Sequence, residues 1–296
     1  MHIILIAAGL IFALFCCFMW VVGGTLVVPS PVEVGELPAD LSGETIRLES
    51  ESGVTIVGWH LRSLEQRGVV VLAHPYRGSR LAMLNRARLL YNAGYSIVMF
   101  DLRAHGETGG DRTTIGHLER LDVQASVKYA RQHHPQEPLG IVGFSMGGAA
   151  TLLAQIQDVD AMVLEAVYPS IRAAICNRVK TKVGVFAWLP GELLMLQLRP
   201  RMGVTEYDMR PIDQIATVDC PVLMISGRDD PSTTAQDTTD LFAAAKDPKQ
   251  LWMIEGAEHE DLYDFVPHEY EPRVLEFFRE HLAPRLSTLP SSGRSA

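Results

Sequence analysis

Hydrophobic positions divide the chain into one long apolar N-terminal stretch and a series of short apolar runs separated by polar segments. The stretch IILIAAGLIFALFCCFMWVVGGTLVV, residues 3–28, contains no charged side chain. As a helix it would reach about 39 Å at ~1.5 Å per residue, enough to cross a hydrocarbon core of ~30 Å. Only Met1 and His2 precede it, and no A-x-A-like cleavage site follows it. Residues 1–28 are therefore predicted to form an uncleaved membrane anchor rather than a cleaved signal peptide.

The charges near this stretch say little about which side of the membrane the rest of the chain occupies. No Lys or Arg lies close to either end of it, so the positive-inside rule has little to act on. Because the N-terminus carries a lone amine and the segment is similar to a signal anchor, we expect a single-pass protein with its N-terminus inside. The globular domain is then expected to be extracytoplasmic.

The short apolar runs alternate with segments of helical pattern. ETIRLES and VTIVGWHL flank a turn and predict an antiparallel pair. The later runs, which suit strands buried on both faces of a parallel sheet, are GVVVLAH, YSIVMFD, LGIVGF, AMVLEAV, PVLMISG and QLWMIEG. The predicted helices are Leu81–Ala93, His117–His133, Met146–Gln157, Thr234–Ala245 and Tyr270–Leu282. This alternation predicts an α/β fold with a mostly parallel central sheet flanked by helices.

Three other segments depart from the alternation. Residues 29–42 contain three prolines and predict an extended linker. The segment of about 169–211 predicts a short helical cap inserted into an α/β domain of residues 43–283. Its apolar part, residues 183–200, could form a lid that binds acyl chains, although such segments more often simply pack over the sheet. The tail, residues 284–296, is predicted to be disordered.

Composition and charge exclude several classes of function. The net charge is −9 and no basic stripe is present, which argues against a nucleic-acid partner. Outside the apolar stretch, Cys176 and Cys220 form neither a zinc quartet nor a disulfide framework, and whether they pair is left open. The adjacent His133 and His134 are expected to face solvent rather than to bind a metal. Because phosphate-loop, zinc and dinucleotide motifs are absent, no cofactor and no metal are predicted.

The pentapeptide Gly143-Phe144-Ser145-Met146-Gly147 marks a candidate nucleophile directly after the run LGIVGF. A nucleophilic serine on a tight strand-to-helix turn needs small residues two positions before and after it, because the backbones nearly touch there. The alternative is a glycine-rich packing turn with no chemical role.

A candidate acid and a candidate base follow two later strands. Asp230 comes after PVLMISG and His259 after QLWMIEG. The order Ser145, Asp230, His259 is the one associated with this serine motif, in which the histidine takes the serine proton and the carboxylate orients the histidine. Asp229 and Glu165 are alternatives for the acid, and the spacing after Gly227 favours Asp230. An oxyanion hole would need the N–H of Met146 and one from the loop His74-Pro75-Tyr76-Arg77-Gly78.

From about Gly43 to Leu282 the chain resembles the α/β-hydrolase superfamily. EAVYPSIRAAI and MRPIDQIATVDCPVLMISGRDD resemble its branch of Bem46-like and other membrane-anchored serine hydrolases. FDLRAHGET resembles the D-x-R-x-H-G-x-[ST] loop of the superfamily, here Asp101 to Thr108. The resemblance implies Ser145 as nucleophile, His259 as base, Asp230 as acid, and Tyr76 and Met146 as oxyanion donors. The chain departs from the family at Pro75, where glycine is usual. Proline has no N–H, but the donor is expected to be the next residue.

These residues predict a serine hydrolase that cleaves carboxylic esters or thioesters through an acyl-enzyme. The alternatives are a serine peptidase or amidase of the same fold, and a non-catalytic binding protein on a hydrolase scaffold. The expected partners are a small-molecule acyl substrate and a membrane contacted by residues 3–28; the sequence identifies no protein partner.

Overall fold

A computed structural model describes residues 1–282 of the chain, so that the tail predicted at 284–296 lies outside the described residues. The chain begins with a helix, α1 (His2–Thr25), that is long and apolar enough to cross a membrane. The strands that follow are β1 (Ser30–Pro31), β2 (Gly43–Glu49), β3 (Thr55–Leu61), β4 (Val69–Ala73), β5 (Ser96–Phe100), β6 (His105–Gly106), β7 (Leu139–Phe144), β8 (Ala161–Glu165), β9 (Val222–Gly227) and β10 (Lys249–Ile254).

Eight of these strands form one sheet in the order β10-β9-β8-β7-β4-β5-β3-β2. Strands β4, β5 and β7 to β10 run parallel, and β3 pairs antiparallel with both β2 and β5 at one edge. This arrangement confirms the predicted mostly parallel α/β sheet with an antiparallel pair at its edge. The remaining strands, β1 and β6, form a separate parallel pair.

Helices cover both faces of the sheet and build a cap beside it. The helices after α1 are α2 (Leu84–Asn92), α3 (Glu119–His133), α4 (Met146–Leu153), α5 (Ile171–Val183), α6 (Trp188–Met195), α7 (Leu198–Met202), α8 (Pro211–Ile215), α9 (Ala235–Ala244), α10 (Leu262–Phe265) and α11 (Pro267–His281). Alternate residues of β4 pack on opposite faces, as the period of two requires. Val69 and Val71 join the core under α3, α4 and α9, and Val70 and Leu72 join the core under α2 and α11.

Helix boundaries differ from the predicted ones where local backbone geometry intervenes. Helix α4 stops at Leu153, four residues before the predicted end, and Gln155 just beyond it has a left-handed backbone with φ of 51°. Helix α11 starts at Pro267, three residues before the predicted start. Proline suits the first turn of a helix because its missing N–H would have no intrahelical acceptor there.

The segment after α1, predicted as an extended linker, follows the surface of the domain. Ser30 and Pro31 pair with His105 and Gly106, and Leu41 is buried against the sheet. The C-terminal part of α1 likewise packs on the domain, because Met19 is buried in a cluster with residues of α5, α6 and α7. Residues 1–14, in contrast, are exposed.

The expectation for the adjacent histidines was wrong for His134. His133 is exposed, but His134 is buried, with its Nε2 2.9 Å from Nε2 of His60 on β3. The last turn of α3 lies against β3, and this long-range packing is not visible in the local sequence. Within residues 1–282, no group of three or more His, Cys, Asp or Glu could hold a metal ion, and Cys176 and Cys220 are free thiols.

Candidate active site

Ser145 occupies the sharp turn between β7 and α4. Its backbone has φ of 50° and ψ of −112°, a strained conformation for a residue with a side chain. The Ser145 N–H donates to the Glu165 carbonyl oxygen at 2.7 Å, and this bond fixes the turn to the end of β8. The side chain projects from the carboxyl edge of the parallel sheet, where open α/β sheets place their ligands.

The glycines around Ser145 are required by close backbone approach. A Cβ on Gly147 would lie 2.2 Å from the carbonyl oxygen of Ala73, and a Cβ on Gly143 would lie 2.6 Å from Cα of Gly148. Real Cβ atoms do not come this close to backbone, so any other residue would push α4 away from β4 or β7. The two glycines therefore allow the turn that presents Ser145.

The predicted base and acid lie beside this serine. Nε2 of His259 is 3.2 Å from Oγ of Ser145, and Nδ1 is 2.7 Å from Oδ2 of Asp230. Asp230 is buried, and its Oδ1 accepts the backbone N–H groups of Ser232 and Thr233 at 2.7 and 2.8 Å. In the tautomer whose Nδ1–H donates to this carboxylate, Nε2 presents its lone pair to Ser145.

The two alternative acids occupy other environments. Asp229 is exposed. Glu165 is buried, and its carboxylate is bound by Arg86 and by the hydroxyl of Tyr270. Arg86 also binds Asp261 close to the candidate base. Glu165 thus belongs to a buried ion network under the site, and the structure places Asp230 alone of the three carboxylates next to His259.

Both ring nitrogens of His74 form hydrogen bonds that hold the loop predicted to contain an oxyanion donor. Burial lowers the pKa of His74 to about 3, so its ring is neutral. Nε2 of that ring accepts the Leu102 N–H at 3.0 Å and Nδ1 donates to the Pro75 carbonyl oxygen at 2.8 Å. Tyr76 and Met146 line the same cavity as Ser145. As the first residue of α4, Met146 has an N–H without an intrahelical acceptor.

Sequence reasoning missed one charged neighbour of the candidate base. Arg178, on α5 of the cap, places Nη2 3.3 Å from Nε2 of His259. Nothing in the local sequence distinguishes this arginine from the other basic residues of the cap.

A cavity of about 620 Å³ adjoins Ser145. Its volume falls within the ~300–1,000 Å³ of typical small-molecule sites. Most of its lining comes from two parts of the chain that are far apart in sequence, and both contribute mainly apolar side chains. They are Phe15, Phe18, Met19, Val22 and Leu26 from α1 and its end, and Ile171, Ile175, Val179 and Leu194 from the cap. The contribution of α1 was also missed, because every face of a uniformly apolar stretch looks alike in sequence.

Comparisons with known proteins agree with this architecture. Residues 64–200 match the model of a family described as serine aminopeptidase, S33. The uncharacterized protein YqkD of Bacillus subtilis is 26% identical over 235 residues, which are 78% of this chain and 77% of YqkD. The uncharacterized protein Rv2307c of Mycobacterium tuberculosis is 28% identical over 240 residues, which are 79% of this chain and 77% of that protein.

Two solved structures share the fold at low sequence identity. The esterase Pf2001 of Pyrococcus furiosus has a TM-score of 0.73 at 23% identity, over 87% of this chain and 99% of the esterase. The acylaminoacyl peptidase of Pyrococcus horikoshii has a TM-score of 0.62 at 18% identity, over 84% of this chain and 43% of the peptidase.

Proposed function

We propose that this chain, which has the α/β-hydrolase fold, is a serine hydrolase that cleaves carboxylic esters or thioesters. The observation that carries this proposal is the hydrogen-bonded series Ser145, His259, Asp230 at the edge of an apolar cavity. A binding protein on the same scaffold would have no need to keep these three side chains in hydrogen-bond contact.

The proposed reaction proceeds in two steps. As Oγ of Ser145 attacks the acyl carbon, Nε2 of His259 takes its proton, and Asp230 stabilises the imidazolium that forms. The N–H groups of Tyr76 and Met146 bind the oxyanion of the tetrahedral intermediate. His259 then gives the proton to the departing alkoxide or thiolate, which leaves an acyl-enzyme. Water, deprotonated by the same histidine, releases the acid and restores Ser145.

The lining of the cavity favours an acyl ester over a peptide. An extended peptide brings many backbone N–H and C=O groups, and each needs a hydrogen-bond partner when it is buried. An aminopeptidase in addition needs an acidic group for the substrate amine. None of the cavity-lining residues within 1–282 is acidic, and Arg178 and Lys182 there are basic.

Peptide or amide cleavage is the second candidate. Its support is the match of residues 64–200 to a family described as serine aminopeptidase and the shared fold with the acylaminoacyl peptidase. The basic lining of the cavity suits a substrate with a blocked or absent amino terminus better than a free amine. Comparison of an ester with the amide of the same acyl group would distinguish the two reactions.

We further propose that α1 anchors the protein in a membrane as a single span, with the hydrolase domain on the extracytoplasmic side. The support is the length of α1, its uniformly apolar sequence and the exposure of residues 1–14. Protease protection of the intact chain in oriented membrane vesicles tests on which side of the membrane the hydrolase domain lies.

The decisive test of the chemistry is labelling of the full chain with a fluorophosphonate probe, followed by peptide mapping. We expect a single adduct on Ser145 that is lost in Ser145→Ala and in His259→Ala. Absence of an adduct on a folded protein, with no hydrolysis of any ester, would favour the binding-protein alternative.

A further inference from the structure

We infer that the C-terminal half of α1 forms one wall of the acyl site, and that the substrate is a long-chain acyl ester of a membrane lipid taken directly from the bilayer. This inference rests on the proposed hydrolase activity and specifies its substrate class. It gives α1 a second role, because an anchor alone would not need to contact the site.

The contacts of α1 place it inside the site. Phe15, Met19 and Val22 line the cavity that also exposes Ser145. Met19 is only 5% exposed, and its carbonyl oxygen accepts a hydrogen bond of 2.9 Å from Nε2 of Gln197 in the cap.

The C-terminal end of α1 is hydrogen-bonded to the loop of residues 74–78, which is predicted to supply an oxyanion donor. The hydroxyl of Tyr76 donates to the Leu26 carbonyl oxygen at 2.7 Å, and Arg77 donates to the Thr25 carbonyl oxygen at 2.8 Å. The helix therefore bridges the cap and the loop that supplies an oxyanion donor. Any substrate acyl chain in the cavity would lie against this helix.

The length of α1 determines how deep in a bilayer the cavity would lie. Residues 2–14 project freely from the domain and span about 20 Å as a helix. A hydrocarbon core is ~30 Å thick, so a spanning α1 must also place part of its domain-packed half within the membrane. The cavity wall formed by Phe15 and Phe18 would then lie at the level of the lipid acyl chains.

The cap carries the surface expected of a domain immersed to this depth. Val185, Phe186 and Trp188 are 91%, 80% and 75% exposed, directly after the cavity-lining Lys182 and Val183. Large exposed apolar clusters mark interaction surfaces, and tryptophan is enriched where protein meets the membrane interface. Lys182 adds a positive charge that suits anionic head groups. A lipid acyl chain could thus enter between α1 and the cap without crossing water.

The reaction on such a lipid is complete with water as the only co-reactant. Ser145 Oγ forms a bond to the acyl carbon while the bond from that carbon to the lipid alcohol oxygen breaks. The alcohol leaves with the proton carried by His259, and hydrolysis of the acyl-enzyme releases a free fatty acid.

Two adjacent residues of α1 provide a matched test. Val22 lines the cavity, whereas Val21 is 64% exposed on the outer side. In the full chain reconstituted in phosphatidylcholine vesicles, we expect Val22→Trp to lower the ratio of kcat/KM for a palmitoyl ester over a butyryl ester by about tenfold or more. The reason is that each methylene group of the palmitoyl chain that is displaced from an apolar wall lowers kcat/KM by about fourfold. Val21→Trp should leave the ratio unchanged.

The outcomes separate this inference from the proposed function. An unchanged ratio in a Val22→Trp protein that unfolds at the wild-type temperature would overturn the inference while ester hydrolysis stands. If Val22→Trp does not fold, Met19→Ala replaces it and should likewise lower the ratio, because a palmitoyl chain would lose its contact with the Met19 side chain. A wild-type protein that hydrolyses neither ester would instead refute the proposed function.

Entry from the bilayer is tested by presenting a palmitoyl lipid in the same vesicles as the protein or in separate vesicles. We expect hydrolysis at least about tenfold faster when lipid and protein share a bilayer. Equal rates in the two arrangements would show that the substrate arrives through water and would contradict entry from the membrane.

Discussion

Nη2 of Arg178 lies 3.3 Å from Nε2 of His259, the same ring nitrogen that faces Oγ of Ser145 at 3.2 Å. A guanidinium can only donate hydrogen bonds. In the proposed reaction, Arg178 would therefore compete with the Ser145 hydroxyl for the lone pair that accepts the serine proton.

Removal of this competing donor should activate the serine. We expect Arg178→Gln to increase the rate constant for fluorophosphonate labelling of Ser145 by about 2- to 10-fold, the worth of one hydrogen bond of ~0.5–1.5 kcal/mol. Lys180→Gln, an exposed position on the same helix, is the matched control and should leave the rate unchanged. A slower reaction of Arg178→Gln would mean that the arginine assists the attack instead.

Asp230 should be the carboxylate on which the base depends. We expect Asp230→Asn to lower kcat for ester hydrolysis by about 10⁴-fold, because an amide favours the wrong tautomer of the histidine ring. The exposed neighbour Asp229 offers a control of identical chemistry, and Asp229→Asn should change kcat less than about twofold. Steady-state kinetics of both variants decide the assignment, which fails if the two respond alike.

Gly147 should be essential for the fold of the nucleophile turn. We expect Gly147→Ala to lower the free energy of unfolding by about 1–3 kcal/mol or more, because the new Cβ would overlap the Ala73 carbonyl oxygen. A Cβ on Gly109 would meet no atom within 4 Å, so Gly109→Ala should change stability by less than about 0.5 kcal/mol. Denaturant unfolding measures both, and equal stabilities would show that the turn can relax.

His60 should make folding stability sensitive to acid. Burial, reinforced by the neighbouring His134, lowers the pKa of His60 to about 3, below its ordinary value of 6.5. Between these values the unfolded chain binds a proton that the folded chain does not. Stability therefore falls as the pH drops from 6.5 towards 3, by up to about 1.4 kcal/mol per pH unit for this group.

Melting temperatures measured from pH 7 to pH 4.5 test this contribution. We expect His60→Gln to be less stable than wild type at pH 7 but to lose less stability on acidification. Buried Asp122, whose pKa is raised to about 6 mainly by burial, acts in the opposite direction and is common to both proteins. His268→Gln, at an exposed position on α11, should retain the wild-type slope; an unchanged slope in His60→Gln would contradict the assignment.

The sequence by itself determined the fold and the positions of the candidate residues. Each buried strand appears as a short apolar run, and parallel strands carry their functional side chains just beyond the carboxyl ends. Ser145, Asp230 and His259 each follow such a run, so their convergence could be predicted from local pattern alone. The glycines beside Ser145 likewise predicted the tight turn, because a close backbone contact requires residues without a side chain.

Only the tertiary structure decided which surfaces meet across long separations in sequence. Three contacts of this kind are the packing of α1 against the cap, the approach of Arg178 to His259 and the burial of His134 against His60. In each of them, the sequence pattern of one segment does not indicate which other segment it contacts. An all-apolar helix has no polar face to show which side contacts protein, and an arginine on a cap helix is compatible with solvent. These contacts arise from the geometry of packed elements, which hydrophobic periodicity does not encode.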